Sequence, residues 1–116
     1  MRKSQNWIID MLDAIDRIED FTSEYSFEEF CQDPKTICAV QDQLMVIGEA
    51  AKNVSDEIKQ NYPQIPWDGM VGSRNVLIHQ YFRTEPELLF ANVNRAIGEV
   101  REILKRILID LESEGT

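Results

Sequence analysis

Apolar residues recur every three or four positions along most of this chain, and that spacing predicts helices. Ile8, Met11, Leu12, Ile15 and Ile18 form one stripe from about Ser4 to Phe21, with Asp10, Asp13, Asp16, Arg17 and Asp20 on the other side. The acidic row reads as a solvated face; a docking surface for a basic partner is the sharper alternative. Ser26-Phe27-Glu28-Glu29 is a capping-box pattern, in which Ser26 bonds the amide three residues on and Glu29 reaches back. A short helix over 26–32 follows from it. Asp33-Pro34 then supplies an N-cap and a first-turn proline. The next helix is expected from Pro34 to about Gln60, on Ile37, Val40, Leu44, Ile47, Ala51, Val54 and Ile58. Gly48, Ala50 and Ala51 place small residues at its middle. A mid-helix glycine costs about 0.5–1 kcal/mol relative to alanine, which close approach of another helix offsets, within the chain or across a dimer.

Two prolines within Asn61-Tyr62-Pro63-Gln64-Ile65-Pro66 must end that helix, since each removes a donor and restricts the residue before it. Tyr62, Ile65 and Trp67 are expected to tuck this connection against the core. A third main helix runs from Trp67 to about His79 or Tyr81. Thr84-Glu85-Pro86-Glu87 starts the fourth, again with a capping pattern and proline just inside. Its apolar face, from Leu88 and Leu89 through Val93, Val100 and Leu104 to Leu111, is wide enough for two helices or a second subunit. Glu112 to Thr116 is expected to fray. With no strand-like alternation, the pattern predicts an all-α, up-and-down four-helix bundle with an additional short helix, a single domain over 1–116.

Composition narrows the functional classes. Apolar residues make up 43 % of the 116, enough for one core. The balance of 12 basic against 21 acidic residues, net −9, has the wrong sign for general attraction to nucleic acid. Any RNA would have to be met at a local basic pocket. Arg95, Arg101, Lys105 and Arg106 make the last helix the most basic segment; they read as solvated partners of Glu99 and Glu102, or as the border of such a pocket. Asp10 interrupts any signal-peptide core behind Met1-Arg2-Lys3, and no apolar run approaches the ~20 residues of a membrane span. Cys31 and Cys38 lack metal-ligand spacing and read as reduced, partly buried thiols of a cytoplasmic protein. No cofactor is implied.

The remaining chemistry centres on Arg74-Asn75-Val76-Leu77-Ile78-His79-Gln80-Tyr81, which holds the only histidine of the chain. Gly69 and Gly72 before it match no phosphate-loop pattern. One histidine rules out a histidine-rich metal site, and no Glu-x-x-His pattern is present. A Ser-His-Asp triad has its residue types but no nucleophile elbow. Histidine working with arginine fits RNA cleavage, in which a 2′-hydroxyl attacks the adjacent phosphate. Imidazole moves a proton there, and guanidinium stabilises the negative transition state. On an ideal helix His79 would lie about 140° around from Arg74, so cooperation needs a relaxed helix end. Cleavage also needs both an acid and a base, which two copies of the chain would supply. Glu49 reads as a solvated glutamate, or as a group that orients a basic side chain of this stretch.

Arg74, Asn75 and His79 are similar to the Arg-(Asn/Asp/His)-x4-His pattern of HEPN domains. The extension to Tyr81 resembles more narrowly the Arg-x4-His-x-Tyr signature of HepT-like toxins. Ile47-Gly48-Glu49-Ala50-Ala51-Lys52 and Ile65-Pro66-Trp67 agree with it. The resemblance covers nearly the whole chain. It implies a HEPN-like dimeric helical domain and a metal-independent endoribonuclease toxin of a type VII-like toxin–antitoxin pair. Arg74 and His79 would be catalytic, with Asn75 in support. It further implies a homodimer, an RNA substrate and an antitoxin of the minimal nucleotidyltransferase (MNT) type, which inactivates the toxin by adding AMP to Tyr81. The acidic first helix favours a rival reading, a non-catalytic helical subunit that binds such a nucleotidyltransferase and nucleotide.

Overall fold

The computed structural model describes residues 2–72 and 86–114. Their regular elements are all helices, with no strand among them, so the chain is all-α as its periodicity predicts. Helix α1, Ser4–Thr22, turns Ile8, Met11, Ile15 and Ile18 of its apolar stripe fully inward, and leaves Leu12, the fifth, half-buried. It packs along α3, Pro34–Asn53, which presents Val40, Leu44, Ile47 and Ala51. These aliphatic rows form the dry centre of the molecule.

Between them, α2, Phe27–Cys31, carries the expected capping box: the Glu29 amide donates to Ser26 Oγ at 3.1 Å, and the Ser26 amide donates to Glu29 Oε1 at 3.0 Å. Phe30 of α2 is fully buried, and both Phe30 and Phe27 meet Phe90 of the last helix, at ring-centroid distances of 5.5 and 5.3 Å. Asp33 caps α3, accepting from the Thr36 amide at 3.3 Å and the Thr36 hydroxyl at 2.8 Å. The same carboxylate accepts from Tyr25 Oη at 2.6 Å, which ties the α1–α2 connection to the start of α3.

The helix expected to reach Gln60 is instead two. Val54 is extended, at φ −69° and ψ 142°, and α4 restarts at Asp56–Asn61. Ser55 is the reason: its side chain accepts from the Ile58 amide at 3.3 Å as an N-cap, and Asp56 and Glu57 complement the positive end of the new helix. The Ser55 amide, freed from α3, donates to Ser4 Oγ at 3.0 Å at the start of α1.

The proline connection folds as its apolar content suggests, with Ile65 and Trp67 buried and Tyr62 half-buried. Trp67 Nε1 donates to the Tyr62 carbonyl at 3.0 Å, and the Tyr62 hydroxyl donates to Asp110. The Met70 amide donates to the Pro66 carbonyl at 2.9 Å, opening α5, whose described residues are 67–72.

The last helix has an unforeseen interior. It runs as α6, Pro86–Arg95, a π-helical turn, Ala96–Val100, and α7, Arg101–Glu114. It remains helical to Glu114, beyond the expected start of fraying. Its wide apolar face serves several helices, because α6 meets α2 and α3 while α7 meets α1. The Arg101 guanidinium reaches α1, 3.3 Å from Asp16 and 3.2 Å from Glu19. That pairing replaces the expected one with its sequence neighbours; Lys105 does pair with Glu102, at 3.6 Å.

Candidate functional site

Arg74, Asn75, His79 and Tyr81 lie outside the described residues, as do Thr84 and Glu85 of the expected capping pattern. The described structure shows what the motif is tethered to. Gly72 ends the described part of α5 two positions before Arg74, and Pro86 opens α6 five positions after Tyr81. An extended chain spans at most about 3.3–3.6 Å per residue, so the Arg74 backbone is within about 7 Å of Gly72. The described element nearest to the motif along the chain is therefore α5.

Next to the described part of α5 is a cavity of about 160 Å³, between α3, α5 and the π turn. Leu44 and Ile47 of α3, Met70 of α5, and Ala96 and Val100 of the π turn supply apolar walls. Two polar side chains of α6 share the lining, the half-buried amide of Asn92 and the exposed guanidinium of Arg95. Pro66 and Gly69 complete it; a Cβ built at Gly69 meets only Pro66 Cβ, at 3.8 Å. The cavity exists partly because two of these positions carry small residues.

Three of the four basic residues of the last helix thus separate. Arg101 is committed to α1, Lys105 to its own helix, and Arg95 lines the cavity. Sequence reasoning flagged Arg95 only as one of a set, and did not find Asn92 or Met70. A π turn leaves no composition signal.

Glu49 is half-buried on α3 rather than solvated, with one carboxylate oxygen shielded from water. Asn53 Nδ2 donates to the Glu49 carbonyl at 2.8 Å and to Oε1 at 3.5 Å. Gly48 beside it is buried, as close helix approach requires.

The cysteines are free, Cys31 half-buried and Cys38 exposed. Burial and the negative charge of Glu87 push the Cys31 thiol up, so it stays protonated and a weak nucleophile. Among the described residues no three His, Cys, Asp or Glu side chains gather as a metal site, and no helix is long and apolar enough to cross a membrane.

Comparison with known proteins bears on the whole length. Residues 11–107 match the family model described as ribonuclease HepT-like. A candidate RNase of Methanocaldococcus jannaschii is 40% identical over 109 residues, covering 93% of this chain and 89% of the relative. A candidate ribonuclease HepT of Thermococcus cleftensis is 39% identical over 100 residues, covering 86% and 91%. A candidate RNase of Caldanaerobacter subterraneus is 35% identical over 83 residues, covering 72% and 74%. No solved structure gives a significant match. With a family model spanning most of its length and relatives above 30% identity over most of theirs, the chain belongs to the ribonuclease HepT-like family.

Proposed function

We propose that the chain is a metal-independent endoribonuclease toxin, acting as a homodimer and neutralised by a nucleotidyltransferase antitoxin. The observation that carries this is the spacing Arg74-x4-His79-x-Tyr81 within a chain of the HepT-like family. Phosphodiester cleavage through the 2′-hydroxyl needs no metal when imidazole removes the hydroxyl proton and returns one to the leaving 5′-oxygen. Arg74 then stabilises the extra negative charge at phosphorus, and Asn75 supports the pair. One histidine per chain makes the dimer part of the mechanism: one copy of His79 serves as base and the other as acid.

Neutralisation acts at Tyr81. Its hydroxyl oxygen attacks the α-phosphorus of ATP, pyrophosphate leaves, and a phosphodiester-linked AMP remains on the ring. That bulk and negative charge two residues from His79 oppose RNA entry.

Purified protein is expected to cleave RNA in EDTA, and His79→Ala to abolish cleavage while the dimer persists by light scattering. Equal cleavage by His79→Ala would point to a contaminating nuclease and overturn the reading. Incubation with the partner enzyme and ATP should add AMP mass to the wild type and not to Tyr81→Phe.

The acidic charge balance favours a second reading, a non-catalytic helical subunit that docks onto the nucleotidyltransferase. Expression of the chain alone separates the two. The enzyme is toxic and Arg74→Ala relieves it; the docking subunit is harmless from the start.

A further inference from the structure

The cavity under the start of α5 has no role in that chemistry, and its size, lining and position define one. We infer that it is a base pocket, which takes one unstacked base of single-stranded RNA close to the cleavage point. The inference rests on the ribonuclease reading and adds to it a specificity determinant.

Size comes first. The cavity measures about 160 Å³, and an engineered apolar cavity of about 150 Å³ takes a single benzene ring. One six-membered ring fits within it. The lining matches a base in kind. Met70 and Val100 offer apolar surface to the ring faces, and Asn92 brings an amide that both donates and accepts, as the edge of a base requires. Arg95, three positions along from Asn92 and exposed, suits the attached phosphate.

Position follows from chain connectivity. Met70 lines the cavity and lies four residues before Arg74, so the two backbones are within about 14 Å whatever the path between them. Neighbouring nucleotides of one strand can engage both. The π turn adds weight, since such turns are rare and recur at functional sites. Here it contributes Ala96 and Val100 to the cavity wall.

The charge of the chain supplies the physical need. At net −9 it repels RNA at long range. An acidic ribonuclease must hold its substrate by contacts that do not depend on phosphate attraction, and burying a base in an apolar pocket is such a contact.

The test is abasic scanning of short single-stranded RNAs with the full-length protein. In the wild type, an abasic nucleotide at one position near the cleavage point is expected to lower kcat/KM about tenfold or more. The salt dependence should be shallow. Gly69→Leu fills the cavity from a helical position with room for a side chain. It is expected to cleave intact and abasic RNA at the same reduced rate, with its Tm unchanged or raised. Asn92→Leu should lose the distinction between cytosine and uracil at that position while retaining the abasic penalty. A flat abasic scan in the wild type, or an undiminished abasic penalty in Gly69→Leu, overturns the pocket and leaves the ribonuclease reading standing. If the wild type cleaves no RNA, that reading fails by itself. The pocket is then judged by fluorescence anisotropy with 2′-O-methyl oligonucleotides: weaker binding of the abasic strand supports it, and equal binding overturns it.

Discussion

Helix α3 makes two contacts of different quality. Against α1 it is closed: Ile8, Met11, Ala14, Ile15 and Val40 are all 0% exposed. Against α5 and the π turn, Leu44 and Ile47 look into a cavity of about 160 Å³. The first contact has the density expected of a protein interior. The second forgoes some dispersion and burial at the start of α5, which leads along the chain to the candidate reactive residues. The contrast separates what stabilises the fold from what serves the site. Long aliphatic residues mesh where nothing must enter, and glycine and alanine are placed where something must.

The largest effect should come from opening the closed contact. Ile15→Ala is expected to destabilise by about 3 kcal/mol in denaturant unfolding, from lost burial plus a new void. Met70→Ala, which enlarges a space already present, should cost about 1 kcal/mol. Equal costs would break the comparison. Added volume should act in the opposite sense. Ala14→Leu overpacks the closed contact and costs about 2 kcal/mol. Gly69→Leu has room, with only Pro66 Cβ at 3.8 Å, and should be neutral or stabilising.

Smaller effects probe how the last helix is held. Tyr62→Phe removes the hydrogen bond to Asp110, which also pushes the tyrosine hydroxyl up; it should cost about 1 kcal/mol in thermal unfolding. Arg101→Gln breaks the pairing with Asp16 and Glu19. A loss of about 1 kcal/mol or less, shrinking at high salt, is expected because both acids are substantially exposed.

The smallest effect is an acid limb. The hydroxyl of Tyr25, then the hydroxyl and amide of Thr36, hold the Asp33 carboxyl below the usual carboxylate range. A folded-state value below the unfolded one, about 4, contributes stability that is complete above the unfolded value. It is lost as pH falls through the folded one. Asp33→Asn should therefore flatten the fall in Tm with acid while leaving its shape near neutral pH unchanged.

The chain shows how much of this can be read in advance. Its all-α class, the stripe of α1, the Ser26–Glu29 box and the Asp33-Pro34 start were legible because they are local. Each depends on residues within one or two turns, where geometry follows from spacing. The break at Val54 was also written locally, in Ser55-Asp56-Glu57, but the apolar period ran through to Ile58 and masked it. Arg74, Asn75, His79 and Tyr81 stand out by residue type and spacing alone, and the family match strengthens that reading.

By itself, then, the sequence determined the helices, their caps, the family and the candidate reactive residues, since periodicity, side-chain capping and motif spacing act along the chain. Only the tertiary structure decided that Arg101 belongs to α1, that the last helix carries a π turn, and that Asn92, Arg95 and Met70 meet around a cavity. These depend on which faces meet across more than twenty residues of sequence. A helix takes one extra residue into a turn only when its neighbours reward the shift. No local propensity encodes that reward; it arises when the helices pack.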